Sequence, residues 1–365
     1  MKVLFLALDA YSSIGGIQQF NRRIINALSR LICEEKIVSA EVITKGDHEK
    51  DVVNVPSNVR MFACSNSKIN FCLSSIQSFR GADTLLLGHV NLLPFAFMAK
   101  IINPKLNVKL FVHGVDVWGV NSRKIKRLDR HFIKFVDQIA SVSNFTACKM
   151  SESFLVPQGR FSIFPNAVDL LDQAESSLGS INKTPILLTV ARLSKNERGK
   201  HHDSVLRALP KIIQTIPDVK YRIIGDGVLK AELKDLAASL GVSQAVEFKG
   251  RVSDEDLAKS YEEASIFVMP SEKEGFGIVF LEAWLRKIPV ICGTQDASHE
   301  VVSHGVDGFA IHHDDIDSLS EKIIFLLENK NSAINMGKAG HQKVLENYLM
   351  NNFVERLNSL LRGKY

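Results

Sequence analysis

Residues 265–282 read SIFVMPSEKEGFGIVFLE: an apolar run, a Gly-x-Gly turn, and a second apolar run that ends on a glutamate. The first run has the length of a buried strand, and the run after the turn predicts a buried helix. Glu274 lies in the turn, and Glu282 follows about two helical turns later. Free N–H groups at such a helix start, together with the helix dipole, favour an anionic or oxygen-rich ligand. We therefore expect the two carboxylates to hold hydroxyl groups at two points of one ligand, and sugar hydroxyls are the obvious candidates.

Short apolar strands alternate with helical segments in both halves of the chain. This alternation is typical of parallel sheets covered by helices on both faces. We therefore predict an α/β protein with two tandem Rossmann-like, doubly wound domains that face a central cleft. The predicted strands are residues 3–8, 41–44, 84–87, 108–112 and 138–142 in the first half, and 186–190, 221–224, 246–248, 266–269 and 289–292 in the second.

The length of 365 residues allows two domains, each with its own core. Residues 172–183 form the most polar and serine-rich connection, so we place the domain boundary there. The predicted domains are residues 1–175, which would bind the acceptor, and residues 183–345, which would bind the donor. Residues 346–365 are predicted to form a helix that packs back towards the first domain.

Composition narrows the class of protein. A hydrophobic content of 45% with 23% charged residues is typical of a soluble globular protein. The apolar run at residues 92–99 is far shorter than the roughly 20 residues of a membrane span. Residues 1–9 lack a signal-peptide cleavage pattern and predict a first buried strand. The five cysteines form no C-x-x-C pair, which indicates reduced thiols in the cytoplasm and argues against a zinc site.

Basic residues are concentrated in the first half of the chain. Residues 1–180 hold 21 basic and 15 acidic side chains, whereas residues 181–365 hold 24 and 25. One interpretation of this basic segment is a solvated helix face. The other is a binding surface for an anion, either lipid head groups at the inner face of the plasma membrane or a phosphate-bearing acceptor. No nucleic-acid reading motif accompanies it, so nucleic acid is not an expected partner. The basic segment comprises Arg123, Lys124, Lys126, Arg127, Arg130 and Lys134.

Two motifs of the first half lie at predicted strand ends. Gly15 and Gly16 precede a helix, where glycine permits close approach of the backbone to a phosphate. An ordinary strand–helix turn is the alternative, because the G-x-G-x-x-G spacing is absent. His113 follows the strand at residues 108–112 and can bind a sugar hydroxyl or a phosphate. Its alternative is a capping or core histidine.

The second half places cations and glycines after its strands. Arg192 follows the first strand and Lys200 comes eight residues later, a pair that suits a diphosphate and the charge on a departing phosphate. Gly225 and Asp226 end the next strand, and Arg251 ends the one after it. These loops are candidates for contacts with a nucleotide base or ribose.

Two Asp-x-Asp pairs resemble metal ligands but have a simpler explanation. Asp254 with Asp256, and Asp315 with Asp317, stand where helical patterns begin. Serine and aspartate at such positions cap free N–H groups. We therefore predict helix capping and no metal at either pair.

Together these motifs resemble the large family of retaining glycosyltransferases of GT-B fold known as family four, which includes bacterial mannosyl- and glucosyltransferases. The resemblance covers essentially the whole chain. Its most specific part is residues 271–283, which look like the family's E-x7-E signature. The supporting segments, in the expected order, are Gly15-Gly16-Ile17, Val112-His113-Gly114, Pro165-Asn166-Ala167-Val168-Asp169, Ala191-Arg192-Leu193 and Gly225-Asp226-Gly227.

The resemblance implies a role for each site residue. Glu274 would bind hydroxyls of the donor sugar near the reacting carbon, and Glu282 would hold the nucleotide ribose. Arg192 and Lys200 would bind the diphosphate and stabilise the leaving group. The remaining implied contacts are the amides of Phe276, Gly277 and Ile278 on sugar and diphosphate, Gly16 against the phosphates, and His113 in the donor-sugar site. Members of the family usually need no metal, so no cofactor is expected.

The sequence departs from the family pattern at two places. The family usually has glycine after the lysine, whereas here His201-His202-Asp203 follow Lys200. This longer loop is similar to the one in the mannosyltransferases that assemble polyprenyl-diphosphate-linked exopolysaccharides. With His201 in the place of glycine, the sequence does not fix the conformation of the loop. Gln18-Gln19 stand where many members have an acid.

The predicted function is retaining, metal-independent transfer of a hexose from a nucleotide sugar to a hydroxyl of a cell-surface glycan or a polyprenyl-diphosphate-linked precursor. Mannose from GDP-mannose is one candidate. Two alternatives stay open at this point. One is a GT-B nucleotide-sugar epimerase or hydrolase, and the other is a non-catalytic sugar-nucleotide-binding protein.

Overall fold

The computed structural model describes residues 1–13, 15–114, 116–118, 125, 127–170 and 184–363. It divides into two compact units. The first comprises Met1–Ala167 together with Leu349–Tyr365, and the second comprises Val168–Tyr348. The predicted boundary at residues 172–183 lies outside the described residues.

The first unit contains a seven-stranded parallel sheet in the order β3-β2-β1-β4-β5-β6-β7. Both faces of the sheet are buried: Leu4 and Leu6 of β1 face one apolar cluster, and Val3 and Phe5 face the other. The period of two along the strand explains why β1 is an unbroken apolar run. The strands are β1 (Lys2–Ala7), β2 (Ser39–Thr44), β3 (Val59–Ala63), β4 (Thr84–Leu87), β5 (Asn107–Val112), β6 (Gln138–Ser141) and β7 (Phe161–Ile163), and the helices are α1 (Gly16–Cys33), α2 (Lys68–Phe79), α3 (Leu93–Ile102), α4 (Arg127–Phe132) and α5 (Asn144–Phe154).

The second unit contains a six-stranded parallel sheet in the order β10-β9-β8-β11-β12-β13. Its strands β8, β9, β11 and β12 contribute Leu187, Ile223, Val268 and Ile291 to one apolar cluster. The strands are β8 (Ile186–Val190), β9 (Lys220–Ile224), β10 (Val246–Gly250), β11 (Ile266–Met269), β12 (Val290–Cys292) and β13 (Gly308–Ala310), and the helices are α6 (His202–Thr215), α7 (Leu229–Ser239), α8 (Asp254–Glu263), α9 (Ile278–Leu285), α10 (Ser298–Val301), α11 (Ile316–Glu328) and α12 (Lys330–Asn347).

The last helix, α13 (Met350–Leu361), belongs to the first unit. Its Phe353 ring lies 5.5 Å from the ring of Phe20 on α1 and 4.8 Å from that of Phe164. All three rings are buried, and edge-to-face contacts of this kind add to the stabilisation from apolar burial.

The two parallel sheets confirm the predicted α/β class with two Rossmann-like domains. Three strands were not predicted, namely β3, β7 and β13. The strand β3 is at an edge of its sheet and is only partly buried, and β7 and β13 have three residues each. Such short or half-exposed strands carry too little apolar periodicity to be recognised.

Three smaller predictions also have structural outcomes. Asp315 caps α11, because its carboxylate accepts a hydrogen bond from the amide of Ser318 at 3.0 Å. Ser253 caps α8, with Asp254 and Asp256 in the first turn, so both Asp pairs act at helix starts. The five cysteines are free thiols. Among the described residues, no helix has both the length and the apolar character that crossing a membrane requires.

Candidate active site

A largely buried ion pair joins Lys200, which was predicted to bind the diphosphate, to Glu274, which was predicted to bind the donor sugar. The Nζ atom of Lys200 lies 2.6 Å from Oε2 of Glu274 and donates a second hydrogen bond to the carbonyl of Lys273 at 3.0 Å. The other carboxylate oxygen of Glu274 accepts from the amides of Gly275 at 3.0 Å and Phe276 at 3.4 Å. Only 11% of the Lys200 side chain and 20% of the Glu274 side chain are exposed. Each charge is therefore neutralised and held in one place.

The pair keeps both groups ionised. Burial alone would raise the pKa of Glu274, but the Lys200 ammonium and the two amides outweigh it and lower the pKa below its usual value. Burial alone would lower the pKa of Lys200, but the carboxylates of Glu274 and Glu197 outweigh it and raise the pKa. Glu274 is consequently an acceptor of hydrogen bonds at neutral pH and not an acid.

The turn after Glu274 exposes the start of α9. Gly277 has φ of +92°, a left-handed conformation that glycine adopts without strain. No side chain among the described residues caps α9, so the first amides of this helix are available to a ligand. The amide of Phe276 donates to the carboxylate of Glu274, and those of Gly277 and Ile278 follow it in the chain at the start of α9.

Glu282 lies in the second turn of α9 and is partly buried. Its Oε2 accepts a hydrogen bond from the hydroxyl of Tyr261 at 2.8 Å. Burial, reinforced by the Glu282 charge, raises the pKa of Tyr261 well above its usual value, so the tyrosine stays a donor. Tyr261 fixes this carboxylate, and sequence reasoning missed it because nothing at residue 261 marks a partner for residue 282.

Arg192 is an exposed member of the predicted site, with 74% of its side chain accessible. It donates to the carboxylate of Glu197 at 3.1 Å and makes no direct pair with Glu274. Glu197 also acts on Lys200, whose pKa it helps to raise. The two cations are therefore linked through a carboxylate that the sequence analysis did not single out.

The loops after β8, β9 and β10 lie next to each other. The amide of Gly225 donates to the carbonyl of Gly250 at 2.8 Å, and the amide of Leu193 donates to the carbonyl of Asp226 at 3.1 Å. Asp226 and Arg251 are both exposed at this sheet edge. The carboxyl ends of parallel strands meet at one edge, which is why these separated loops come together.

Gly15 and Gly16 lie in the first unit, at the start of α1. A methyl group added at Gly16 would meet no atom within 4 Å, so this backbone is open to a ligand. The loop before the glycines is held by Asp47, whose buried carboxylate accepts the amides of Ala10 at 2.9 Å and Ser12 at 2.8 Å. Asp47 is a further residue that sequence reasoning missed.

His113 follows β5 in the first unit and is half-buried. Its Nε2 lies 2.9 Å from the carbonyl oxygen of Gly88, and its ring lies 4.7 Å from that of Phe20. The contact with Gly88 fixes the orientation of the ring. Because a carbonyl oxygen only accepts, Nε2 carries the proton in this contact, and Nδ1 of the neutral ring is an acceptor.

The departure from the family pattern after Lys200 has a clear backbone consequence. His201 has φ of +54° and ψ of +47°, in the left-handed region. Glycine populates this region freely, whereas a side chain there costs about 1–2 kcal/mol. The loop therefore keeps the conformation that glycine favours, with histidine in its place.

A buried network supports the segment that carries Glu274. Asp296 is fully buried and accepts hydrogen bonds from the hydroxyl of Ser271 at 2.6 Å and the amide of Ser298 at 2.9 Å. The amide of Ala297 donates to the carbonyl of Glu274 at 3.1 Å. The loop after β12 is thereby joined to the loop after β11.

Replacing Asp296 by asparagine should change how stability depends on pH. Burial raises the pKa of Asp296 to about 6, against hydrogen bonds from Ser271 and Ser298 that lower it. The stability contributed by the protonated acid is present below about pH 4 and is lost as pH rises through about 6. The free energy of unfolding of the variant, relative to that of the wild type, should therefore be about 2 kcal/mol higher at pH 7 than at pH 4. Urea unfolding at both pH values measures this difference, and a difference that does not change with pH would contradict the assignment.

Of the predicted basic segment, Arg127 and Arg130 belong to α4, and both are exposed. Arg130 donates from Nε and Nη2 to the carbonyl of Ser153, at 3.2 and 3.0 Å. Arg123, Lys124 and Lys126 lie outside the described residues.

Comparison with known proteins identifies the family. Residues 14–171 match the family described as Glycosyltransferase Family 4, and residues 172–343 match that described as Glycosyl transferases group 1. The chain is 30% identical to the GDP-mannose-dependent monoacylated alpha-(1-6)-phosphatidylinositol monomannoside mannosyltransferase of Corynebacterium glutamicum, across 100% of this chain and 98% of that protein. It is 28% identical to the corresponding GDP-mannose-dependent mannosyltransferase of Mycolicibacterium smegmatis, across 62% of this chain and 63% of that protein.

Solved structures agree on the fold. The Anabaena protein HepE, in complex with UDP and glucose, is 18% identical and matches with a TM-score of 0.79 over 99% of both chains. The lipopolysaccharide outer core galactosyltransferase WaaB is also 18% identical and matches with a TM-score of 0.75 over 100% of both chains. The two Rossmann-like units therefore form a GT-B fold. With matched segments that span nearly all of its length, the chain belongs to the family 4 glycosyltransferases, enzymes that transfer a hexose from a nucleotide sugar to a glycan or glycolipid hydroxyl.

Proposed function

We propose that this enzyme transfers mannose from GDP-mannose to a lipid-linked glycan with retention of the anomeric configuration and without a metal ion. The observation that carries the proposal is the buried pair of Lys200 and Glu274 beside the uncapped start of α9. An ammonium suits a diphosphate, and a carboxylate that uses three of its roughly four lone pairs within the protein can still accept from a sugar hydroxyl. The proposed donor and lipid class are supported by the relatives in Corynebacterium and Mycolicibacterium, which are GDP-mannose-dependent phosphatidylinositol monomannoside mannosyltransferases.

The proposed chemistry depends on charge at the leaving group. Lys200 would neutralise the negative charge that builds on the departing diphosphate, and the first amides of α9 would donate to its oxygens. Arg192, which now pairs with Glu197, would turn to the same diphosphate. These three positive groups supply the stabilisation for which other enzymes use a divalent metal.

Glu274 would position the donor and not attack it. Its carboxylate is already occupied by one ammonium and two amides, and it stays ionised because Lys200 lowers its pKa. We propose that attack occurs on the face of the leaving group, with the diphosphate oxygen taking the acceptor proton as the new glycosidic bond forms. The protein contributes mainly orientation and electrostatic stabilisation.

The two units would bind different substrates. We propose that the second unit binds the donor through Glu274, Glu282, Gly225, Asp226 and Arg251, and that the first unit binds the acceptor. Gly15, Gly16 and His113 of the first unit would each bind a phosphate or a sugar hydroxyl. The exposed Arg127 and Arg130 fit a contact with anionic lipid on the cytoplasmic face of the membrane.

One assay tests the donor, the stereochemistry and the metal together. The enzyme is incubated in EDTA with GDP-mannose, or with UDP- or ADP-sugars, and with phosphatidylinositol mannoside in anionic or neutral vesicles. We expect transfer from GDP-mannose alone, an α-linked product by NMR, turnover in EDTA that Mg²⁺ or Mn²⁺ does not raise, and faster transfer on anionic vesicles at low salt.

Each other outcome has its own meaning. A β-linked product overturns retention, and turnover that is lost in EDTA and restored by Mg²⁺ or Mn²⁺ overturns metal independence. Release of GDP with free mannose and no glycosylated lipid would instead identify a hydrolase. Binding of GDP-mannose without any turnover would identify a non-catalytic binding protein.

A further inference from the structure

Three side chains distant in sequence converge behind the Lys200 loop. His201 ends the 3₁₀ turn at Lys195–Lys200, Glu272 precedes Glu274 by two residues, and His313 follows β13. The Nε2 atom of His201 lies 3.5 Å from Oε1 of Glu272, and Nε2 of His313 lies 3.8 Å from Oε2. One atom of each side chain lies within 4.8 Å of the other two.

The imidazoles are buried without the hydrogen bonds that burial normally requires. The side chains of His201 and His313 are 15% and 11% exposed. Among the described residues, neither Nε2 of His201 nor Nδ1 of His313 has a hydrogen-bond partner. An unsatisfied nitrogen costs about 1–3 kcal/mol, which is unusual in a native interior. An ion beside Glu272 would satisfy Nε2 of His201, which faces this carboxylate, whereas His313 faces it with Nε2 and keeps Nδ1 without a partner among the described residues. In addition, His201 has the unfavourable left-handed backbone noted above.

We propose that His201, Glu272 and His313 bind a zinc ion. Two imidazoles and one carboxylate are ligands that zinc accepts, and oxygen-preferring cations such as magnesium and calcium would not select them. A tetrahedral shell with Zn–N bonds of about 2.0–2.1 Å has ligand atoms about 3.3 Å apart. The three ligand atoms lie within 4.8 Å of one another, so the side chains must draw together to reach this spacing when the ion binds.

The surroundings supply the other features of such a site. Asp203 lies 3.8 Å from Nδ1 of His201, where a carboxylate can orient a metal-binding imidazole. His201 and Glu272 also line an open pocket with Arg198 and Glu232, which gives an ion a path of entry. The rings of His201 and His313 lie face to face, with centroids 3.8 Å apart, so one ring must rotate for both nitrogens to meet the ion.

An ion at this site would hold together the two loops that carry Lys200 and Glu274. His201 adjoins Lys200, and the amide of Glu272 already donates to the carbonyl of Gly199 at 2.9 Å. A zinc ion would add His313 to this contact and fix the loops of Lys200 and Glu274 against each other. The ion would be structural, so it is separate from the reaction step, and the site does not depend on the identity of the donor.

The test measures zinc itself on the full-length chain. The protein is stripped with EDTA, desalted and titrated with Zn²⁺ against a chromophoric chelator, and with Co²⁺, whose visible absorption reports a tetrahedral site. We expect one equivalent of zinc, a rise in Tm, and slower amide exchange across residues 195–203. Glu272→Gln and His313→Gln should each weaken binding by about 100-fold or more, while His299→Gln, at an exposed histidine of the same unit, should not.

The controls separate loss of the site from loss of the fold. Each variant is compared with the wild type by circular dichroism and by Tm in the absence of metal, and Glu272→Gln conserves the size of the side chain. The proposal is overturned if the wild type binds no stoichiometric zinc, or if folded Glu272→Gln and His313→Gln bind it as the wild type does. Because no donor or acceptor is present, the result is independent of the transferase assay.

Discussion

Replacing Lys200 by alanine is expected to lower kcat/KM for sugar transfer by about 10²-fold or more. The ammonium lies in a largely buried position, where only 11% of the side chain is exposed, so water cannot substitute for its charge at a departing diphosphate. The variant also leaves the Glu274 carboxylate with two amides and no cation. Steady-state kinetics with GDP-mannose, together with Tm, measure the loss and show whether the fold survives.

Lys195→Ala is the matched control, since Lys195 begins the same 3₁₀ turn but is exposed. It should retain near-normal turnover. The double variant Lys200→Ala/Glu274→Gln should lose much less than the product of the two single losses, because the residues act as a pair. Wild-type turnover in Lys200→Ala would refute the assigned role of this lysine.

The convergence of Lys200 and Glu274 could be anticipated because of the topology. They are 74 positions apart, yet each lies beyond the carboxyl end of a parallel strand, β8 or β11, and these strands are neighbours. In a doubly wound sheet such ends form one edge. Strand–helix alternation therefore predicts the fold and the sheet edge at which both residues lie, while their roles in catalysis remain predictions.

The partners of the site residues could not be anticipated in the same way. Glu282 is fixed by Tyr261, and the Glu274 segment is supported through Asp296, in each case by side chains that meet across loops or helices. Their distances depend on rotamers and loop paths, which leave no periodic signal in a single sequence. For the same reason the cluster of His201, Glu272 and His313 could not be predicted from the sequence, because the separations of 71 and 41 positions match no metal-binding spacing.

Replacing Gly277 by alanine is expected to destabilise the second unit by about 2–4 kcal/mol and to reduce transfer strongly. A Cβ atom at this position would lie 2.3 Å from Cδ2 of Phe280, a fully buried ring that packs edge-on against Phe267. The φ of +92° adds backbone strain for any residue other than glycine. Relief of the clash must move either the core ring or the first turn of α9, and with it the amides beside Glu274. Urea unfolding in a Trp118→Phe background, followed by the fluorescence of Trp284, measures the second unit.

Gly305→Ala separates the two causes, because Gly305 has a similar φ of +79° but no atom within 4 Å of an added Cβ. Its free energy of unfolding should fall by only about 1 kcal/mol, which is the cost of the backbone conformation. The difference between the two variants is then the cost of the contact with Phe280. If Gly277→Ala is no less stable than Gly305→Ala, then Phe280 yields without cost, and the start of α9 is not held by the core. In that case the amides of Phe276, Gly277 and Ile278 would not be fixed in place before the donor binds. Part of the free energy of donor binding would then be used to order these amides, and the affinity for the donor would be lower.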